Sequence, residues 1–133
     1  PGYECRHNLK YWTLEEYISF GPSASSFISN NRWTNIKNIG RYIELVDSGK
    51  PAYDFIETID KDTSVTEHIM LGLRSVGVNF EDFRSRHNID FESTYKSPIN
   101  TLITNGYAVK DENKLSLTRK GYAVCDEIVA TLF

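Results

Sequence analysis

The fold of this chain is decided by residues 107–117, which read YAVKDENKLSL. Two short apolar stretches are separated there by the polar turn residues Asp111-Glu112-Asn113. Leu115 and Leu117 are two residues apart and therefore share one face of a strand. The pattern predicts a two-stranded hairpin in the last third of the chain.

Helical patterns lie on both sides of this hairpin. Thr118 is a good N-cap for a final helix, and residues 90–105 predict a helix before the hairpin, with Pro98 as an internal irregularity. Further helices are predicted upstream, starting at Asn35 or Asn38, at Asp60 or Asp62, and at Asn79. The helix from Asp60 or Asp62 carries the predicted buried stripe Val65, Ile69, Leu73 and Val76. The expected fold class is α+β, mainly helical, with a winged-helix-like C-terminal domain that carries a two-stranded wing.

Residues 1–35 differ in composition from the rest of the chain and are rich in aromatic residues. Residues 17–20 predict a short strand that Gly21-Pro22 ends, and residues 32–35 predict a second strand, so that a marginal hairpin is expected. Residues 23–26 are small and are interpreted as a flexible connection. The chain has no initiator methionine, and we expect it to be a piece from the interior of a longer gene product.

Composition excludes several classes of function. The net charge is -3 and no apolar run approaches the roughly 20 residues that a membrane span needs. Two cysteines do not indicate a disulfide framework, which favours a reduced, cytoplasmic setting. In residues 91–133 five basic side chains are balanced by five acidic ones. We therefore interpret the wing as packing architecture, and expect no nucleic-acid partner, since DNA readers carry a basic stripe.

Histidines and cysteines give few candidates for a metal site. Cys5 and His7 are two residues apart and could supply half a site, but no second pair has ligand spacing. Cys125, His68 and His87 are isolated in the sequence, and both histidines are interpreted as structural or solvated. We expect no metal site and no catalytic residue in the chain, with Cys5 a small buried hydrophobe.

The stretch His7-Asn8-Leu9-Lys10-Tyr11-Trp12 is the strongest candidate for a ligand site. His7 and Tyr11 share a face both on a helix and on a strand. An imidazole beside two aromatic rings can bind haem, with its nitrogen on the iron and the rings against the tetrapyrrole. The same residues could equally form a core cluster around a structural histidine. The two interpretations stay open on the residues alone.

Five motifs, in the right order along the whole chain, resemble radical-SAM proteins related to oxygen-independent coproporphyrinogen III oxidase. The match is best to the branch regarded as haem chaperones (HemW-like). The motifs are HNLKYW at 7–12, similar to HNxxYW; YISFGPSA at 17–24; RWTN at 32–35; EHIMLGLR at 67–74; and LTRKG at 117–121, similar to LTxxG.

The resemblance implies a division into residues 1–35, the end of a truncated radical-SAM barrel domain, and residues 36–133, the family's C-terminal winged-helix-like domain. It also implies that His7 is a candidate axial ligand of haem, with Tyr11 and Trp12 in the pocket wall. The rest of the radical-SAM domain becomes the expected partner. An iron–sulfur cluster, S-adenosylmethionine and haem are implied for the full-length protein.

Two departures from the family limit what this chain does. Ser25 stands where the family often has histidine, and the CxxxCxxC triad that holds the cluster is missing, since Cys5 and Cys125 are the only cysteines. We expect a non-catalytic C-terminal region, without a cofactor of its own, that covers the cluster-bearing domain. The alternatives are the same region of a true coproporphyrinogen III oxidase, which performs an oxidative decarboxylation, and an independent winged-helix interaction module.

Overall fold

The structure is a computed structural model that describes residues 5–132, apart from the side chains of Arg6 and His7. In chain order its elements are α1 (Arg6–Trp12), β1 (Ser25–Ile28), β2 (Asn31–Asn35), α2 (Ile39–Asp47), β3 (Tyr53–Thr58), α3 (Lys61–Leu73), β4 (Val78–Asn79), α4 (Phe80–His87), α5 (Phe91–Thr94), α6 (Lys96–Thr104), β5 (Ala108–Lys110), β6 (Lys114–Leu117), α7 (Arg119–Tyr122) and α8 (Cys125–Leu132). The chain is thus a mixture of helix and sheet. None of these helices is long and apolar enough to cross a membrane.

The chain divides into two compact units, residues 15–60 and the described residues before and after them. Neither limit coincides with the predicted domain boundary after residue 35, which stays a prediction. The unit of residues 15–60 contains an antiparallel sheet in the order β1-β2-β3 and helix α2. The other unit contains the remaining elements.

The sheet of the 15–60 unit differs from the predicted hairpin. Residues 17–20 form only a single bridge, from Tyr17 to Phe27, while the stretch interpreted as flexible contributes Ser25 and Ser26 to β1. Ser26 is fully buried because its hydroxyl accepts a hydrogen bond from the Ser19 N–H at 3.0 Å. The small serines were therefore wrongly interpreted, since a tertiary hydrogen bond orders them.

Strand β3 was missed altogether, and the region from Asn35 onward is less purely helical than predicted. Tyr53–Thr58 is largely exposed and mixes apolar with acidic side chains, so it lacks the alternation by which a half-buried strand is recognised. It forms because it pairs with β2, with Asn31 opposite Thr58. The helix predicted from Asn35 or Asn38 is confirmed, since the Asn38 side chain accepts from the Arg41 N–H at 2.9 Å.

In the other unit, one hydrophobic core joins α3 to the second sheet. The predicted hairpin is confirmed as β5 and β6, and Leu115 and Leu117 are both buried. A third strand, β4, pairs with β6, so the order is β4-β6-β5 and the sheet has three strands where two were predicted. The buried core consists of Val65, Ile69, Leu73, Val78, Phe80, Phe83, Phe91, Ile99, Leu102, Ala108, Leu115, Leu117, Cys125, Ile128 and Leu132.

Two helix predictions need correction. Val76 is 44% exposed and lies outside the buried stripe, because α3 ends at Leu73 and Gly77 turns the chain with φ of +96°. The helix predicted over residues 90–105 is two helices, α5 and α6, which meet at Tyr95. Pro98 has no N–H to donate to the carbonyl four residues earlier, which explains the break.

The end of the hairpin is fixed by Thr118 and Gly121. The Thr118 hydroxyl accepts from the Gly121 N–H at 3.1 Å and donates to the Gly106 carbonyl at 2.8 Å, as predicted for an N-cap. A Cβ atom at position 121 would lie 2.0 Å from the Tyr107 carbonyl oxygen, so only glycine fits there. The role of the LTRKG motif is therefore structural: it allows α7 to pack closely against the hairpin.

Candidate functional site

Helix α1 carries all three residues predicted to contact haem. His7 and Tyr11 are four residues apart on this helix, which puts them one turn apart on one face. Tyr11 is 37% exposed and Trp12 is partly buried. The side chain of His7 lies outside the described part of the structure, so its role stays a prediction.

The C-terminal end of α1 is closed by local hydrogen bonds. The backbone N–H and the hydroxyl of Thr13 both donate to the Leu9 carbonyl, at 2.9 and 3.0 Å. Leu14 follows with φ of +52°, a left-handed conformation that is unfavourable for leucine. Its carbonyl accepts a hydrogen bond at 2.9 Å from Nη1 of Arg86, a residue of α4. Helix α1 also contacts α3.

A polar chain runs from Arg86 into the core. Arg86 Nε donates to Asp82 Oδ1 at 2.8 Å, and the second carboxylate oxygen of Asp82 lies 3.5 Å from Nε2 of His68. His68 Nδ1 lies 2.9 Å from His87 Nε2, and both rings are buried next to Phe83. The acidic neighbour of Nε2 favours the tautomer in which His68 Nε2 carries the proton and His87 Nε2 donates to His68 Nδ1.

The two histidines were therefore wrongly described as isolated. They are separated by nineteen residues in sequence but are hydrogen-bonded in the structure. Burial, together with the adjacent His87, lowers the pKa of His68 to about 4, against the opposing effect of Asp82. Burial also lowers the pKa of His87, so both rings are neutral near pH 7.

The residues present do not fit a cluster or another metal centre. Cys5 is exposed next to the start of α1, so its interpretation as a buried hydrophobe was wrong, whereas Cys125 is buried in the hydrophobic core. Among the side chains that the structure describes, which do not include that of His7, no three histidine, cysteine or acidic groups are arranged to hold a metal ion. An iron–sulfur cluster needs closely spaced thiolates, which these two cysteines cannot supply.

An open groove on α6 and α8 offers a second concave surface, with a volume of about 640 Å³. It is lined by both polar and apolar side chains, and the apolar ones include Pro98, Leu102 and Ile128. Of the described residues that line it, none is a histidine, cysteine or methionine. It therefore provides no nitrogen or sulfur ligand for haem iron, and α1 remains the candidate site.

A comparison with known families finds a match for part of the chain. Residues 59–124 match the HemN C-terminal domain. The family resemblance found in the sequence is confirmed by this match.

Similarity to individual proteins extends further along the chain. The chain is 30% identical to the haem chaperone HemW of Lactococcus lactis and to that of Bacillus subtilis, in each case over 96% of this chain and 34% of the relative. It is 28% identical to HemW of Mycobacterium tuberculosis over 99% of this chain and 32% of the relative. The chain thus spans about a third of the length of these relatives.

A solved structure shows the same fold. It is the Escherichia coli coproporphyrinogen III oxidase HemN, a radical-SAM enzyme, which matches 88% of this chain and 28% of its own with a TM-score of 0.59. The sequence identity is 17%, so the similarity between the two proteins concerns the fold.

Sequence reasoning identified the candidate residues at 7–12 but left open whether they lie on a helix or a strand, and it missed the contacts that hold α1. The spacing of Asp82 and Arg86, four apart on a helix, was a detectable signal for an ion pair. Two other contacts join distant parts of the sequence, so no local pattern predicts them: Arg86 with Leu14, and His68 with His87.

Proposed function

We propose that this chain is the C-terminal region of a HemW-type haem chaperone, non-catalytic by itself, which contributes α1 to the haem site of the full-length protein. The similarity to curated haem chaperones carries this proposal. It covers 96% of the chain in two relatives. The three candidate residues all belong to α1.

His7 is the proposed axial ligand, and Tyr11 and Trp12 are the proposed pocket wall. Haem iron takes an imidazole nitrogen readily, and aromatic rings pack well against the tetrapyrrole. Tyr11, 37% exposed, retains surface that a ligand can cover. Haem supplies the iron chemistry when bound, while the protein residues bind and orient it.

The rest of the full-length protein is the proposed partner of both compact units. We assign residues 1–35 to the end of its radical-SAM domain and residues 36–133 to a winged-helix-like domain that covers it. The cluster and S-adenosylmethionine belong to the part outside this chain, which relatives about three times as long can accommodate. The cytoplasmic setting stays part of this proposal. The 133 residues alone should bind haem weakly, because a tetrapyrrole pocket needs walls on both faces.

The second candidate is the same region of a coproporphyrinogen III oxidase, favoured by the fold match to HemN. There the domain would help close the site around an oxidative decarboxylation. A winged-helix interaction module that acts independently has less support, since the similarity to haem chaperones covers 96% of the chain.

The deciding experiment uses the full-length polypeptide that contains this chain, reconstituted with its cluster. Haem titration and turnover of coproporphyrinogen III are measured side by side. Stoichiometric haem binding without decarboxylation supports the chaperone proposal, whereas decarboxylation without stable haem binding supports the oxidase. Absence of both activities would contradict both proposals.

A further inference from the structure

The end of α1 is held in an unfavourable backbone conformation by a side chain from a distant part of the sequence. Leu14 has a φ of +52°, which lies in the left-handed region that leucine rarely adopts. Its carbonyl oxygen accepts from Arg86 Nη1 at 2.9 Å, across seventy-two residues of sequence. A residue in such a conformation persists when its surroundings fix it, and such positions cluster at binding sites.

Arg86 is itself fixed by the core. Its Nε donates to Asp82 Oδ1 at 2.8 Å, one helical turn earlier on α4. The other oxygen of Asp82 faces the buried His68, which is hydrogen-bonded to the buried His87. The guanidinium is planar and has several donors in a fixed arrangement, so one side chain can hold a carboxylate and a carbonyl at the same time.

We propose that Arg86 is a positioning residue that fixes the C-terminal end of α1 and thereby sets the orientation of His7, Tyr11 and Trp12 toward haem. The part about haem rests on the proposed function. Helix α1 has seven residues, too few to persist in water without tertiary contacts. Loss of the Arg86 contact therefore loosens the helix that carries the ligand, without removing any group that touches haem.

The first test measures amide hydrogen exchange in the full-length polypeptide and needs no haem. In Arg86→Ala the α1 amides of Leu9 and Thr13 should exchange about five-fold faster, a typical effect of losing one hydrogen bond near the surface. Amides in the middle of α3 should keep their protection. Arg84→Ala is the matched control, because Arg84 lies on the same helix and pairs with Asp90 rather than with α1. Equal protection of α1 in Arg86→Ala and Arg84→Ala would overturn the proposal.

The second test measures haem affinity and the Soret band of the same variants. Arg86→Ala should weaken haem binding about five-fold with an unchanged Soret position, because the ligand remains but is less well oriented. Arg86→Lys should restore part of the affinity, since its one ammonium can reach only one of the two partners. It also serves as the variant to use if Arg86→Ala fails to fold.

The two tests separate this inference from the proposed function. If the unchanged protein does not bind haem, the proposed function fails, while the exchange result still decides whether Arg86 holds α1. Faster exchange in Arg86→Ala with unchanged haem affinity would overturn the positioning role. Loss of affinity in Arg84→Ala to the same degree would overturn it too.

Discussion

Replacing Gly121 by alanine should destabilise the C-terminal unit severely, although alanine is the better helix former. A Cβ atom at this position would lie 2.0 Å from the Tyr107 carbonyl oxygen, against an ordinary contact of about 3.5 Å, so α7 or the hairpin must move by more than an ångström. The same carbonyl accepts the Thr118 N–H at 2.9 Å, so movement also strains this bond.

The magnitude follows from these two effects. Overpacking against backbone costs roughly 1–3 kcal/mol, and one weakened hydrogen bond adds about 1 kcal/mol. The better helix propensity of alanine offsets at most about 1 kcal/mol of this loss in the free energy of unfolding. We therefore expect Gly121→Ala to lower the free energy of unfolding by about 1–3 kcal/mol.

Gly40→Ala is the matched control and should have the opposite sign. Gly40 also lies in a helix, and a Cβ there would meet only Asn38 Oδ1, at an ordinary 3.5 Å. Alanine should thus stabilise its unit by about 0.5–1 kcal/mol. Urea unfolding followed by circular dichroism measures both variants, with separate transitions allowed for the two units. A Gly121→Ala variant within about 0.5 kcal/mol of the unchanged protein would refute the close-approach argument.

Two further predictions concern the buried histidines and a helix end. The folded pKa of His68 is lowered to about 4 while the unfolded value stays near 6.5, so between these values the unfolded chain binds a proton that the folded chain does not. The contribution of neutral His68 to the free energy of unfolding is therefore fully present above about pH 6.5. It is lost as the pH falls, and the free energy of unfolding should decrease by about 2 kcal/mol between pH 7 and pH 5. Urea unfolding at both pH values tests this, and a His68→Gln variant that keeps the full pH dependence would contradict it. Asn88 ends α4 with φ of +55°, so Asn88→Ala should cost about 1 kcal/mol whereas Asn88→Gly should cost little. Equal melting temperatures of these two variants would contradict the role of the left-handed conformation.

The parts of the fold that sequence could predict are those whose cause is local. Thr118, Asn79 and Asn38 cap helices through hydrogen bonds within three residues, so their side-chain chemistry alone indicates where each helix starts. The spacing of Leu115 and Leu117 predicts a half-buried strand.

The parts that sequence missed depend on partners elsewhere in the chain. Strand β3 has no alternating pattern and exists through its pairing with β2. Ser26 is ordered by Ser19, and the hydrogen bond between His68 and His87 needs α3 and α4 to be packed together. For the candidate site, the motif at residues 7–12 identified the residues but not their helical conformation, and the contact of Arg86 with Leu14 became visible only in the structure.

Haem titration of the full-length polypeptide with His7→Ala tests the central proposal most directly. Lys10→Ala is the matched control, because Lys10 is an exposed residue of the same helix at a variable position of the motif. Thermal unfolding of each variant is recorded beside the titration. An axial imidazole predicts a shifted Soret band and weaker haem binding in His7→Ala, with Lys10→Ala unchanged. A folded His7→Ala variant with unchanged Soret band and unchanged affinity would contradict the proposal and make His7 a structural residue.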